Sequence, residues 1–180
     1  MQKIMQNAKT SQSMIIFSVL HQIQGPGFQG YVEDPAYASW IKTFLSQGVD
    51  FVFEEASGRG PSVAEDLTKA RTPEVNYLDV DPSAAERGKY GISSSSGGGA
   101  IDPVHSYDVY ETVVLEDQMK REEEWLRRIK ASTFTKGLFI CGVAHGLSFG
   151  AKLQGSGIAV QELYNYIPHS LVCPQGPHRF

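Results

Sequence analysis

Three short, β-favouring apolar runs each stop on a histidine or a glutamate: Met14–Leu20 leads into His21, Val49–Phe53 into Glu54 and Glu55, and Leu138–Ala144 into His145. Stretches with helical spacing lie between them, and this alternation predicts an α/β fold with a mostly parallel sheet. In an open sheet of that kind, ligands bind outside the carboxyl ends of the strands. Polar groups placed just past several strands then converge on one pocket. Here they are two imidazoles and a carboxylate, a set that can hold a divalent metal or run general acid–base chemistry near neutral pH. Taken singly, each residue also reads as an ordinary loop or core side chain; their shared position in the strand pattern sets them apart.

The chain of 180 residues is long enough for one domain that buries about 70% of its unfolded surface without a staple. Its apolar content of 41% and charged content of 20% are ordinary for a soluble globular protein. A net charge of −4 without a long basic block argues against nucleic acid or an anionic membrane as partner. Cys141 and Cys173 are the only cysteines, which does not describe a secreted disulfide framework. Lys3 and Lys9 ahead of Met14–Leu20 give a faint likeness to a signal peptide, but Ser13 and Ser18 interrupt the run and no small-residue cleavage site follows. No stretch approaches the roughly 20 apolar residues needed to cross a bilayer. The expectation is a cytoplasmic protein acting on a small molecule or peptide.

The pattern predicts a flexible arm over residues 1–13, then a single three-layer α/β domain over 14–180 with helices on both faces of the sheet. Gln22–Glu33 contains Gly25, Pro26, Gly27 and Gly30, as suits a loop lining a site. Asp34 and Pro35 predict a helix start, Tyr37, Trp40, Ile41, Phe44 and Leu45 repeat at threes and fours, and Gly48 ends the helix. Val63–Arg71 reads as a second helix, capped by Ser62 with Glu65 completing a capping box. Val75–Leu78 is a third strand leading to Asp79 and Asp81. Gly91–Pro103, rich in serine and glycine, reads as a flexible loop, since it lacks the lysine and the flanking elements of a phosphate-cradling loop. After the strand at Gly137–Gly142 come a helix around Leu147–Leu153 and a fifth strand at Ile158–Val160. The stretch Leu163–Phe180, with Pro168, Pro174 and Pro177, reads as an irregular tail whose His169 and His178 are solvent residues.

The longest helical pattern runs from about Ser106 to Ser132. Leu115, Met119, Leu126 and Ile129 mark one face, and Glu122 occupies the remaining place in that stripe. Lys120, Glu123 and Glu124 suit solvent, while Arg121 and Trp125 flank the face. A carboxylate turned toward a core is costly unless it is paired or functional. Glu122 is therefore expected either in a structural ion pair or in the pocket, near His21, His145 or an arginine. Arg87 and Arg121 are candidates for stabilising anionic charge, with surface salt pairing as the alternative.

With His21, Glu54–Glu55 and Gly142-Val-Ala-His145 in view, the chain resembles the superfamily joining TraB-like proteins, Tiki proteases, haem-binding ChaN proteins and erythromycin esterases. The late element fits well: Phe139-Ile-Cys-Gly-Val-Ala-His145, continuing to Leu153-Gln-Gly155-Ser-Gly-Ile-Ala-Val160. The early element, Ser18-Val-Leu-His21, carries serine where the family usually has glycine. The resemblance implies an α/β fold with its site at the strand ends and a functional set of His21, Glu54 or Glu55, and His145. Its members span metal-dependent peptidases, lactone-opening esterases with a histidine base, and haem binders. It implies a hydrolase acting on an ester or amide, with His145 as general base or metal ligand and His21 as its partner. Glu54 or Glu55 would orient an imidazole, or His21, Glu55 and His145 would together hold Mn or Zn. A non-catalytic member that binds a small molecule or protein on the same scaffold is the alternative.

A second likeness is to cysteine hydrolases of the isochorismatase type, through Phe139-Ile-Cys-Gly-Val-Ala. In this chain Ser148 or Phe149 stands where their nucleophilic cysteine is expected, and the first strand lacks their aspartate. Cys141 itself lies inside an apolar strand, where a thiol behaves as a small inert hydrophobe.

Overall fold

A strand that is buried at every position must be covered on both faces and paired on both edges, and β1 (Ser13–Val19) is such a strand. It is followed by α1 (Pro35–Ser46), β2 (Phe51–Glu54), α2 (Val63–Lys69), β3 (Asn76–Asp79), α3 (Ala84–Arg87), α4 (Tyr107–Ala131), β4 (Lys136–Gly142), α5 (Gly146–Gly155) and β5 (Ala159–Tyr166). These come from a computed structural model that describes residues 11–93 and 107–168, with only the backbone for 107–114. The expectations for residues 1–10, for most of the serine-glycine loop, and for Cys173, His169 and His178 lie outside the described residues.

The five strands form one parallel sheet in the order β3-β2-β4-β1-β5. Successive side chains of a strand point to opposite faces, and the core divides accordingly. Ile15, Phe17, Val19, Val52, Leu138 and Ile140 pack beneath α1 and α2 with Tyr37, Ile41, Phe44 and Ala64. Met14, Ile16, Phe53, Phe139 and Cys141 pack on the other face, against Trp125 and Ile129 of α4 and Phe149 and Leu153 of α5. The result is a single three-layer α/β domain.

Local signals set the helix ends. The Asp34 carboxylate accepts from the Ala36 and Tyr37 N–H groups ahead of Pro35, and Gly48 takes a φ of +85° just past α1. Ser62 caps α2 by accepting from the Glu65 N–H, but the Glu65 side chain pairs with Lys69 instead of turning back. The full capping box lies at Ser83 and Glu86, on the four-residue α3, which is too short to show a periodic pattern.

Two expectations are corrected. The supposed tail from Leu163 is strand: β5 runs to Tyr166, pairing with β1 through an extra residue at Gln161. Its alternation places Leu163 on one core and Tyr164 and Tyr166 on the other, a stronger signal than the prolines that follow. On α4 the apolar stripe is displaced. Leu115 and Met119 are exposed, whereas Asp117, Arg121, Glu122, Glu124, Trp125 and Ile129 are buried. Aliphatic spacing misplaces the face because the covered part of this helix is largely charged.

Ser18 and Gly146 are matched in size. Ser18 is buried on β1 opposite Cys141, and a Cβ added to Gly146 at the start of α5 would lie 2.1 Å from the Ser18 hydroxyl. Position 146 provides the room that the serine uses. Gly146→Ala should therefore lower stability by about 1–3 kcal/mol. Adding Ser18→Gly should return most of that loss in chemical denaturation; equal losses in the single and double variants would refute the packing account.

Candidate functional site

The three central strands β2, β4 and β1 are neighbours, so the residues after their carboxyl ends meet. Period-two alternation on β2 separates the two glutamates: Glu54 follows Val52 toward α1 and α2, and Glu55 turns to the face shared with α4 and α5.

Glu55 is the hub. Its Oε2 accepts from the Gly142 N–H at 2.8 Å, and its Oε1 is bound by the Arg121 guanidinium. The Nε2 atoms of His21 and His145 lie 3.6 and 3.8 Å from that same Oε1. A Cβ at position 142 would fall 2.7 Å from His21 Nε2, so glycine is what lets the ring approach the strand end.

Each imidazole is held from behind. His145, which precedes α5 and stands edge-on to Trp125, has its Nδ1 3.0 Å from Glu122 Oε1. Burial pushes the Glu122 carboxyl up, but His145, Ser148 and Lys152 outweigh it and hold the group below its ordinary range. Glu122 is therefore an acceptor and His145 Nδ1 donates to it, which leaves Nε2 facing Glu55. The Ser148 hydroxyl donates to the same Glu122 oxygen at 2.7 Å, and Lys152 Nζ lies 3.3 Å from the other. His21 meets the Gln24 side-chain oxygen through Nδ1 and stacks on Phe28. His145 is buried; the His21 side chain, 36% exposed, forms the open edge of the cluster.

Arg121 donates through Nε to Asp81 Oδ1 at 2.8 Å, and Trp125 Nε1 donates to the same oxygen. Burial alone would raise the Asp81 carboxyl; Arg121, with Ser57 and Trp125, reverses this and holds it low. Arg87, the other arginine candidate, stands one step further out, 3.3 Å from Asp81 Oδ2 and away from Glu55. Opposite charges thus alternate from Arg87 through Asp81 and Arg121 to Glu55.

Glu54 sits apart under α1 and α2, fully buried. It accepts from Gln24 Nε2 at 2.9 Å and Tyr77 at 2.8 Å, and from the Ser62 hydroxyl. No cation is among these partners, and burial pushes its carboxyl up to about 7 despite the three donors.

The expected metal set does not fit this arrangement. The cation on Glu55 is the guanidinium of Arg121, which a divalent ion would have to displace, and among the described residues no three acidic, histidine or cysteine side chains form a constellation for a metal. Cys141 is buried and its thiol is pushed up by burial, as expected for an inert core residue. Gln24 belongs to the network without having been singled out in the sequence, while Asp81 and Ser148 were noted there without being counted among the site residues. The alternation of carboxylates after the third strand is the one signal that pointed toward Asp81.

No family model matches this chain, and neither a curated protein nor a solved structure does. Among the described residues no helix is long and apolar enough to cross a membrane.

Replacing Arg121 with Met should cost about 3–5 kcal/mol, since it strips buried Glu55 of its arginine and leaves Asp81 with Arg87 alone. The deficit should shrink as pH falls, because Arg121 holds Asp81 below the ordinary carboxylate range and that contribution is lost as Asp81 takes up its proton; a deficit independent of pH in urea titrations would refute this. Glu54 has the opposite sign. Folded Glu54 keeps its proton over a range where the unfolded chain has lost it, so stability should fall by about 1.4 kcal/mol per pH unit as pH rises toward 7. Glu54→Gln should remove that part of the slope.

Proposed function

We propose that this chain is a hydrolase-like protein of the TraB, Tiki and erythromycin-esterase superfamily, acting on an ester or amide at the His21–Glu55–His145 cluster. The observation that carries the reading is the convergence of two imidazole Nε2 atoms on one carboxylate oxygen, each ring anchored through its other nitrogen. The order of the motifs along the chain, ending in Gly142-Val-Ala-His145, supports the superfamily reading.

Neutral rings in this orientation and a carboxylate are all acceptors. A water or substrate hydroxyl entering beside His21 supplies the proton they lack. One imidazole takes that proton as the oxygen attacks the carbonyl. The same ring, now an imidazolium stabilised by Glu55, returns that proton to the leaving group as the bond to the carbonyl carbon breaks. Glu122 and Arg121 are positioning residues in this scheme: Glu122 aims His145, and Arg121 holds the Glu55 side chain in place.

One observation favours the alternative of a binding protein without turnover: Glu55, Arg121 and His145 are all buried and all partnered. A screen of ester, lactone and peptide probes decides between them. The hydrolase reading expects turnover by wild type, a loss of about a hundredfold or more in His145→Ala, and a clear loss in Glu122→Gln at near-native melting temperature. A wild type inert to every probe, with a small molecule bound by wild type and released by His145→Ala, would establish the binding reading in its place.

A further inference from the structure

The Gln24 amide stands between the two glutamate environments of β2, and its orientation is decided by what surrounds it. On one side its nitrogen lies 2.9 Å from Glu54 Oε1 and 3.5 Å from the Glu55 carbonyl oxygen. A carbonyl can only accept, and with Ser62 and Tyr77 donating to the other oxygen of ionised Glu54, Oε1 is left as an acceptor for the amide. The NH2 group must occupy that side. The amide oxygen then faces His21 Nδ1 at 2.5 Å, and an amide oxygen has no proton to give. His21 Nδ1 is therefore the donor.

We infer that Gln24, oriented by Glu54, is a positioning residue that locks His21 in the Nδ1–H tautomer and so turns its Nε2 lone pair into the cluster. This deepens the proposed function and rests on reading His21 Nε2 as a working nitrogen of that site. An imidazole free in water prefers its proton on Nε2, which here would place an N–H against Glu55 and remove the base. The pair acts entirely from the far face of the sheet. Glu54 touches neither Glu55's carboxylate nor either histidine, and the groups around it come from every element packed there: Tyr37 of α1, Ser62 at the start of α2, and Tyr77 and Asp79 of β3. Gln24 and Ser62 also join their two loops through the Val63 N–H, which donates to the Gln24 carbonyl at 2.8 Å. The amide thus hangs from a fixed backbone. The equivalent role at His145 is filled by a carboxylate, Glu122, so the two rings reach the same tautomer by different means.

Long-range 1H–15N correlations on the whole protein, recorded above pH 7 where Glu54 is ionised, read the tautomer directly and need no turnover. The wild type should show His21 protonated on Nδ1. Gln24→Leu should shift the ratio toward Nε2–H by about tenfold, the weight of one buried hydrogen bond, with the amide spectrum otherwise retained. Gln24→Glu, which keeps an acceptor in place, should hold the wild-type tautomer, and it decides the matter together with the wild type if Gln24→Leu does not fold. Finding Nε2–H in the wild type, or one unchanged ratio in all three proteins, would overturn the inference. A chain with the expected tautomers but no hydrolysis would leave the inference standing and remove the hydrolase reading instead.

Discussion

Everything at the strand ends depends on the guanidinium of Arg121 between Asp81 and Glu55. Two carboxylates carried by neighbouring strands would repel each other and remain unsolvated. A single planar cation with several donors satisfies both at once, and does so from a helix on one face of the sheet. Trp125, one turn further along α4, reinforces the joint by donating to Asp81 and lying against the guanidinium. The helix is fastened to the sheet by charge at its site end and by apolar packing at Ile129, so its burial cannot be read as hydrophobic along its whole length.

The sheet separates tasks that adjacent residues would otherwise share. Glu54 and Glu55 are neighbours in the chain, yet the pleat sends one to a pocket of neutral donors and the other to an arginine and two imidazoles. Equal side chains acquire unequal chemistry in this way. The Gln24 amide reconnects them across the strand, so a group on one face acts on a histidine at the other.

Much of this architecture was legible in the sequence because it is written at short range. Apolar runs of strand length, Asp34 before Pro35, and histidine or glutamate just past a strand each declare themselves within a few residues. The choice between Glu54 and Glu55 was not legible, since it depends on which face Phe53 takes. The buried face of α4 was concealed because its partners, Asp81 and Glu55, are 40 and 66 residues away from Arg121. A charged stripe looks solvated until those partners are known. Gln24 was passed over for a similar reason: its significance comes from Glu54, 30 residues on, and from nothing in its own loop.

The strand order has a consequence for synthesis on the ribosome. β1 is buried at every position, and its sheet neighbours are β4 and β5, which begin at Lys136 and Ala159. For most of translation, Met14–Val19 therefore has no native edge to join, although β2 and β3 can already pair. A nascent chain carrying such an orphan strand is prone to wrong pairing and to self-association until β4 arrives to stand between β1 and β2. Truncation after α4 would leave that strand permanently without a partner.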